Sequence, residues 1–276
     1  MHEELSKVIP SFVKRSMEKY GIETQKYIAD TQDAMWKISN EAIDWEQHDS
    51  VNSVELAEYD PDGETKLIAA ILYQYSHLPM FQLIKKIRYI NSEQRKKIIF
   101  EFLSRRSNRR HKPGRALENT YYTFDILADF GIYRDLHRHR ILTQERQLLD
   151  VRHGFVIPKE IVEAGFQEEY EAAMNKAKEI FLKIQEKFPL QAQYVVPLGF
   201  RVRWYMTMNL REIYHLTELR SSQQGHPSYR KIAQEIFKKV KQVHPNVAEF
   251  IKFIDMKDYE LERLESEKRI DKKLEE

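Results

Sequence analysis

The strict alternation Phe200-Arg-Val-Arg-Trp-Tyr-Met-Thr-Met208 constrains the fold more than any other segment. Phe200, Val202, Trp204, Met206 and Met208 share one parity, and Arg201, Arg203, Tyr205 and Thr207 the other. Successive side chains of a strand point to opposite faces, so this segment reads as a strand with one face on a core. Met206 and Met208 read as core filling. Asn209 follows at once, a favoured N-cap, and Asn209–Arg220 reads as a helix.

The rest of the chain adds helices around few strands. Val8, Ile9, Phe12, Val13 and Met17, then Tyr27, Ile28, Met35, Ile38, Ala42 and Ile43, recur at helical spacing. Residues 1–50 therefore read as a helical extension or connector, which must lie on something rather than fold alone. Val54, Leu56 and Tyr59 suggest a short strand closed by Asp60-Pro-Asp-Gly63, so the main domain is expected from Val51 to about residue 256. Helices are expected over Glu64–Tyr73, from Pro79, and from Asn91 to about Arg106, with Gln94 completing a capping pattern. Thr120–Ile126 reads as a strand, Gly131–Arg140 as a short helix, and Leu148–Ile157 as extended. Pro158 opens one long helix, Lys159 to about Phe188. Gln191–Leu198 is a short helix or turn, and Pro227–Val243 a further helix. Residues 257–276 read as a charged tail helix. The class is α+β, helix-rich, with about four strands and a small, mainly antiparallel sheet.

Composition removes several chemistries. The 276 residues include no cysteine, which excludes disulfides, Cys-ligated metals and thiolate nucleophiles. Lys+Arg 45 against Asp+Glu 43 gives a net charge of +2, which does not demand a nucleic-acid partner. The longest apolar runs, such as Leu67–Leu72, are far below a membrane span, and a cytoplasmic protein without membrane contact is expected. No G-x-G-x-x-G, Walker A, G-x-S-x-G or H-E-x-x-H string occurs, so no metal site is expected.

Three places concentrate unusual residues. Arg134 lies one helical turn before Arg138 in Arg138-His139-Arg140, and stacked guanidinium groups without matching acids suit an anion. A surface basic patch paired with the acidic tail explains them equally well. The loop Arg105–Arg115 carries Arg109, Arg110, His111 and Lys112 and reads either as a phosphate contact or as a solvated charge run. Asn209 and Arg211, with Arg220 at the far end of the same helix, could grip polar groups, although N-capping alone explains Asn209.

In chain order, Val54–Gly63, Tyr122–Ile126, Arg138-His-Arg140, Val195–Leu198, Asn209-Leu-Arg211 and Leu219-Arg220 resemble the flavin-dependent thymidylate synthases. The resemblance covers about Val51 to Phe253 and is nearest to the C-terminal copy of long, duplicated members. It implies a homotetramer that binds FAD between subunits, or pairing with a second copy. The implied reaction moves a methylene from methylenetetrahydrofolate to dUMP and gives dTMP, with NAD(P)H as reductant. It implies cofactor contacts at His111, Arg138, His139, Arg140, Asn209, Arg211 and His215. Arg220 matches an essential arginine that holds the pyrimidine nucleotide. Arg134, Asp135, Arg146 and Asp150 fall at or near the nucleotide side.

Departures fall on that nucleotide side. Leu148 stands where the family has Ser, Asp150 and Gln193 where it has Arg, Asp135 where it has Gln, and Arg146 where it has an acid. After Arg220, Ser221–His226 is slightly longer than the family pattern. A carboxylate near a bound phosphate costs on the order of several kcal/mol in a partly buried site. Three readings follow. One is a flavin-binding enzyme with an altered nucleotide site. Another is a non-catalytic structural copy of such an assembly. The last is a phosphate-ligand or nucleic-acid binder acting through residues 105–115. Whether the chain is an enzyme stays open at this point, with the flavoprotein reading preferred.

Overall fold

The computed structural model describes residues 2–43, 53–259, 268 and 270–274. The chain divides into two compact units, Met1–Ser50 and Val51–Glu276. The expected domain start at Val51 and most of the expected tail helix lie outside the described residues.

The first unit contains α1 (His2–Val8), α2 (Pro10–Met17) and α3 (Lys19–Ala42). None of their side chains is buried, and Phe12, Tyr20 and Tyr27 are exposed. None of the described helices in the chain is long and apolar enough to cross a membrane.

The second unit is built on a sheet of β1 (Val54–Tyr59), β2 (Tyr121–Asp129), β3 (Thr143–Arg146) and β4 (Arg201–Asn209). The order is β1-β2-β4-β3 and every pairing is antiparallel. The alternation of β4 does what its pattern predicts. Val202, Trp204, Met206 and Met208 are buried, facing the same core as Tyr122, Phe124, Ile126 and Ala128 of β2. The other face carries polar pairs, Thr123–Thr207 at 2.9 Å and Arg203–Asp125 at 3.0 Å.

Helices α4 (Gly63–Tyr73), α5 (Met80–Ile87), α6 (Ser92–Leu103), α7 (Phe130–Leu136), α10 (Leu210–Arg220), α11 (Pro227–Val243) and α12 (Pro245–Ala248) contribute to the main core, while α8 (Lys159–Glu163) buries no residue and α9 (Gln167–Gln185) packs Met174 and Phe181 into a smaller second core with Val151, Ala192 and Phe200. Leu67–Ile71 of α4, Ile213, Tyr214 and Leu216 of α10, and Ile232, Ala233 and Ile236 of α11 join the core. The expected caps are present. Asn91 Oδ1 accepts from Gln94 N at 2.8 Å, and Asn209 Oδ1 accepts from Glu212 N at 2.9 Å.

Three expectations need correction. The helix expected over Gly131–Arg140 ends at Leu136, so Arg138, His139 and Arg140 follow it in non-helical backbone. The long helix expected from Lys159 is interrupted between Glu163 and Gln167, where Gly165 adopts φ +78°. A left-handed glycine satisfies the carbonyls at a helix end, and this outweighed the continuous apolar periodicity. Leu148–Ile157 is not a strand, apart from an isolated bridge between Phe155 and Phe200. The fourth strand lies earlier, at Thr143–Arg146, where pairing to β4 compensates for weak intrinsic signals.

Candidate anion site around His139

The antiparallel register brings Asn209, the last residue of β4, opposite Tyr121, the first of β2. The chain then turns into α10, and the face opposite its core side carries Arg211 and His215 four residues apart. Glu212 lies beside them, and Arg220 ends the helix. The segment after α7 passes across this face, and His139 is its buried anchor at 7% exposure.

His139 Nδ1 lies 2.7 Å from Glu212 Oε1, and its Nε2 accepts from Arg220 Nε at 2.8 Å. Arg220 also donates from Nη2 to the Asp135 carbonyl at 2.9 Å, and its guanidinium lies 5.5 Å from the Tyr229 ring centre. The His215 ring lies 5.6 Å from that of His139. Burial lowers the pKa of His215, as do the positive charges of Lys112 and Arg109, while Glu212 opposes them.

The loop before β2 supplies the other wall. Arg211 donates from Nε to the Pro113 carbonyl at 2.9 Å and pairs through Nη1 with Glu118 at 2.8 Å. Arg115 grips the same carboxylate and, with Arg211, holds its pKa below the usual range despite burial. Arg106 fixes the loop from inside, donating from Nε to the His111 carbonyl at 2.7 Å.

Two small cavities open on this surface. One of about 220 Å³ is lined by Arg138, His139, Arg140 and Arg220, among others. The other, of about 140 Å³, is lined by Arg109, Lys112 and Arg211. They share Ile141, Glu212 and His215. The largest cavity described, about 800 Å³ around Asp129, Tyr170 and Arg230, includes none of the expected cofactor or nucleotide contacts.

The fold thus brings His139, Arg138, Arg140, Arg211, His215 and Arg220 to one surface. Asn209 is buried at 7% exposure and its Oδ1 serves as the cap of α10. His111 lines neither cavity. Its ring is held within its own loop, with Nε2 2.9 Å from Asn108 Nδ2. Stacked, unpaired Arg134 and Arg138 do not occur, because Arg138 lies beyond the helix and forms an ion pair with Asp135.

Arg146, the last residue of β3, and Asp150, in the loop that follows, have partners of their own. Asp150 Oδ1 accepts from Val151 N at 2.6 Å and Arg152 N at 2.8 Å, and Oδ2 faces Arg152 Nε at 3.1 Å. Arg146 donates to the Gln147 carbonyl at 2.9 Å, and Gln193 Oε1 accepts from Leu149 N at 2.9 Å. Leu148 is 41% exposed.

Glu212, Glu218 and Glu118 were not singled out in sequence, and Arg106 was counted only among the cations of the 105–115 loop, whereas it is buried in an ion pair with Glu218. Only Glu212 carried a local signal, since it stands three residues after the N-cap Asn209 in a capping-box pattern. Its carboxylate reaches across to His139 instead. His139, Glu212 and His215 place ligand-type atoms within 4.8 Å of one another. Both ring nitrogens of His139 are already engaged, however, and Arg220, Arg138 and Arg140 surround it. A metal ion would have to displace the Glu212 hydrogen bond inside a cationic site.

Residues 55–246 match the family described as thymidylate synthase complementing protein. A UPF0159 protein of Chlamydia pneumoniae is 40% identical over 268 residues, 96% of this chain and 50% of that protein. A UPF0159 protein of Thermoplasma acidophilum is 36% identical over 220 residues, 78% of this chain and 44% of its own length. The flavin-dependent thymidylate synthase of Sulfurisphaera tokodaii is 31% identical over 157 residues, 49% of this chain and 56% of that enzyme. The chain spans about half the length of these curated relatives.

Proposed function

Because this chain belongs to the thymidylate synthase complementing protein family, we propose that the surface around His139 binds a flavin dinucleotide. The observation that carries the reading is the meeting of cations from three separate segments around buried His139 and the adjoining His215. Arg140 and Arg220, with Arg109 and Lys112 on the adjoining wall, have no carboxylate partner among the described residues. Such a group of cations suits the two negative charges of a pyrophosphate.

Arg138, Arg140 and Arg211 would hold FAD through its phosphates. His139 and His215 would line the same surface, with His111 and Asn209 supporting it from the loop and the cap. The two cavities are each smaller than the roughly 300 Å³ at which ligand pockets usually begin. A second subunit or copy completing the site, as in a homotetramer, fits that shortfall. When bound, the reduced flavin supplies hydride. Arg220 would orient the acceptor as an already aligned cation, without serving as a proton donor, because guanidinium does not deprotonate in proteins.

On this reading the chemistry is FAD-dependent methylation of dUMP to dTMP. Methylenetetrahydrofolate supplies carbon, NAD(P)H supplies electrons, and the cytoplasm is the setting. The nucleotide side is altered, since Asp150 accepts bonds within its own loop and Gln193 accepts from Leu149 N in that loop. That same arrangement favours a second reading, a non-catalytic copy that supports an intact partner resembling the flavin-dependent thymidylate synthases. Flavin loading followed by dUMP titration tests both. Bound flavin absorbance with tritium release from labelled dUMP supports the enzyme. Flavin uptake without tritium release or NAD(P)H oxidation supports the structural copy. Failure to take up added FAD removes the flavin reading. Salt-sensitive gel shifts would instead favour nucleic-acid binding through residues 105–115.

A further inference from the structure

We propose that Glu212 is a positioning residue that holds Arg220 in place by fixing the tautomer of His139. Arg220 Nε–H can only donate, so His139 Nε2, 2.8 Å away, carries the lone pair. In the neutral ring the proton then sits on Nδ1, where Glu212 Oε1 accepts it at 2.7 Å. Glu212 is itself locked, because its backbone N–H donates to Asn209 Oδ1 at 2.9 Å and its side chain is 7% exposed. The opposite tautomer would set Nε2–H against Nε–H of Arg220 and turn the Nδ1 lone pair onto a carboxylate. Two repulsive contacts would replace two hydrogen bonds.

The arrangement has a consequence for charge. Arg220 is held by a neutral imidazole, the Asp135 carbonyl at 2.9 Å and the Tyr229 ring face at 5.5 Å. None of these is a carboxylate. The acid that orders it stands one imidazole away, so Arg220 is oriented while its charge remains available to a ligand. A direct ion pair with Glu212 would orient it equally well but would neutralise it. Orientation is normally obtained together with neutralisation, as in the Arg138–Asp135 pair nearby. At Arg220 the two are separated.

The tautomer is a property of the chain alone. Its effect on cofactor affinity rests on the flavin reading. Nitrogen-15 correlated NMR of the full chain at pH 8 reads the tautomer, with His139→Gln identifying the resonances. Wild type is expected to show His139 as the Nδ1–H form. Glu212→Gln, whose amide oxygen still accepts from Nδ1, keeps that form, and Glu212→Leu loses it. FAD titration should place Glu212→Gln within about threefold of wild type and Glu212→Leu at least about tenfold weaker. An Nε2–H form in wild type overturns the proposal, and so does an unchanged Nδ1–H form in folded Glu212→Leu. The wild-type spectrum decides even if Glu212→Leu does not fold. Wild type that shows the Nδ1–H form but takes up no FAD supports the role of Glu212 and sinks only the flavin reading.

Discussion

Arg106 and Glu218 form a bidentate ion pair, Nη1–Oε1 at 3.0 Å and Nη2–Oε2 at 2.8 Å, with side chains only 7% and 1% exposed. The same guanidinium donates to the carbonyls of His111 at 2.7 Å and Phe250 at 3.1 Å and lies 5.1 Å and 5.3 Å from the ring centres of Tyr214 and Phe253. One side chain therefore ties the segment after α6, the cationic loop, α10 and the chain beyond α12. Removing one partner of a buried pair leaves a bare charge, so Arg106→Met should destabilise by about 3–5 kcal/mol. Arg106→Met with Glu218→Leu should lose less than Arg106→Met alone. Urea unfolding checks this, and simple additivity of the two substitutions would refute it.

Arg140 is exposed and has no ion pair among the described residues. Its removal should cost little stability and much ligand affinity. Arg140→Ala is expected to weaken FAD uptake by about tenfold or more, since a hydrogen bond to a charged group contributes about 1.5–3 kcal/mol. The midpoint of thermal unfolding should move by no more than about 2 °C, as usual for a surface substitution. Flavin absorbance titration alongside calorimetry separates the two effects.

Tyr122 and His244 form a buried pair at 2.6 Å. Burial lowers the pKa of His244 from 6.5, against the opposing charges of Glu64 and Asp60. Burial likewise raises that of the Tyr122 phenol, which stays protonated as donor. With the folded pKa of His244 below the unfolded one, the unfolded chain binds the proton first. The stability from a neutral His244 is complete above about pH 6.5 and is lost as pH falls toward the folded pKa. His244→Gln should flatten this part of the stability–pH profile between pH 8 and 5. Parallel profiles for the two proteins would count against it.

Gly165 holds φ +78° between α8 and α9, and the space where a Cβ would lie is open. The cost of a side chain there is conformational rather than steric. Gly165→Ala should destabilise by about 1–2 kcal/mol without changing the fold. Thermal unfolding with an unchanged circular dichroism spectrum is the expected result, and a stabilised variant would contradict it.

Much of the architecture was legible because its signals are local. The parity of Phe200–Met208 states which face is buried, and Asn91 and Asn209 state where helices begin. Signals that depend on competition between neighbours were not legible. Apolar periodicity across Lys159–Phe188 suggested one helix, yet Gly165 ended it. Arg138 looked like a helical neighbour of Arg134, yet the helix stops at Leu136 and Arg138 turns to Asp135.

Sequence by itself determined the class of fold, the absence of thiol chemistry and the identity of the cations that could meet an anion. Hydrophobic period, capping and residue type act over a few positions and need no partner. Tertiary structure alone decided which of those cations stay unneutralised. Glu212 lies 73 residues from His139, and Glu218 lies 112 from Arg106. Electrostatic and hydrogen-bond energies depend on separation in space and on burial, which a linear order of residues does not contain. The antiparallel register of β2 and β4 set those separations. It thereby made Glu212 a distant orienting acid and Arg220 an aligned, uncompensated charge.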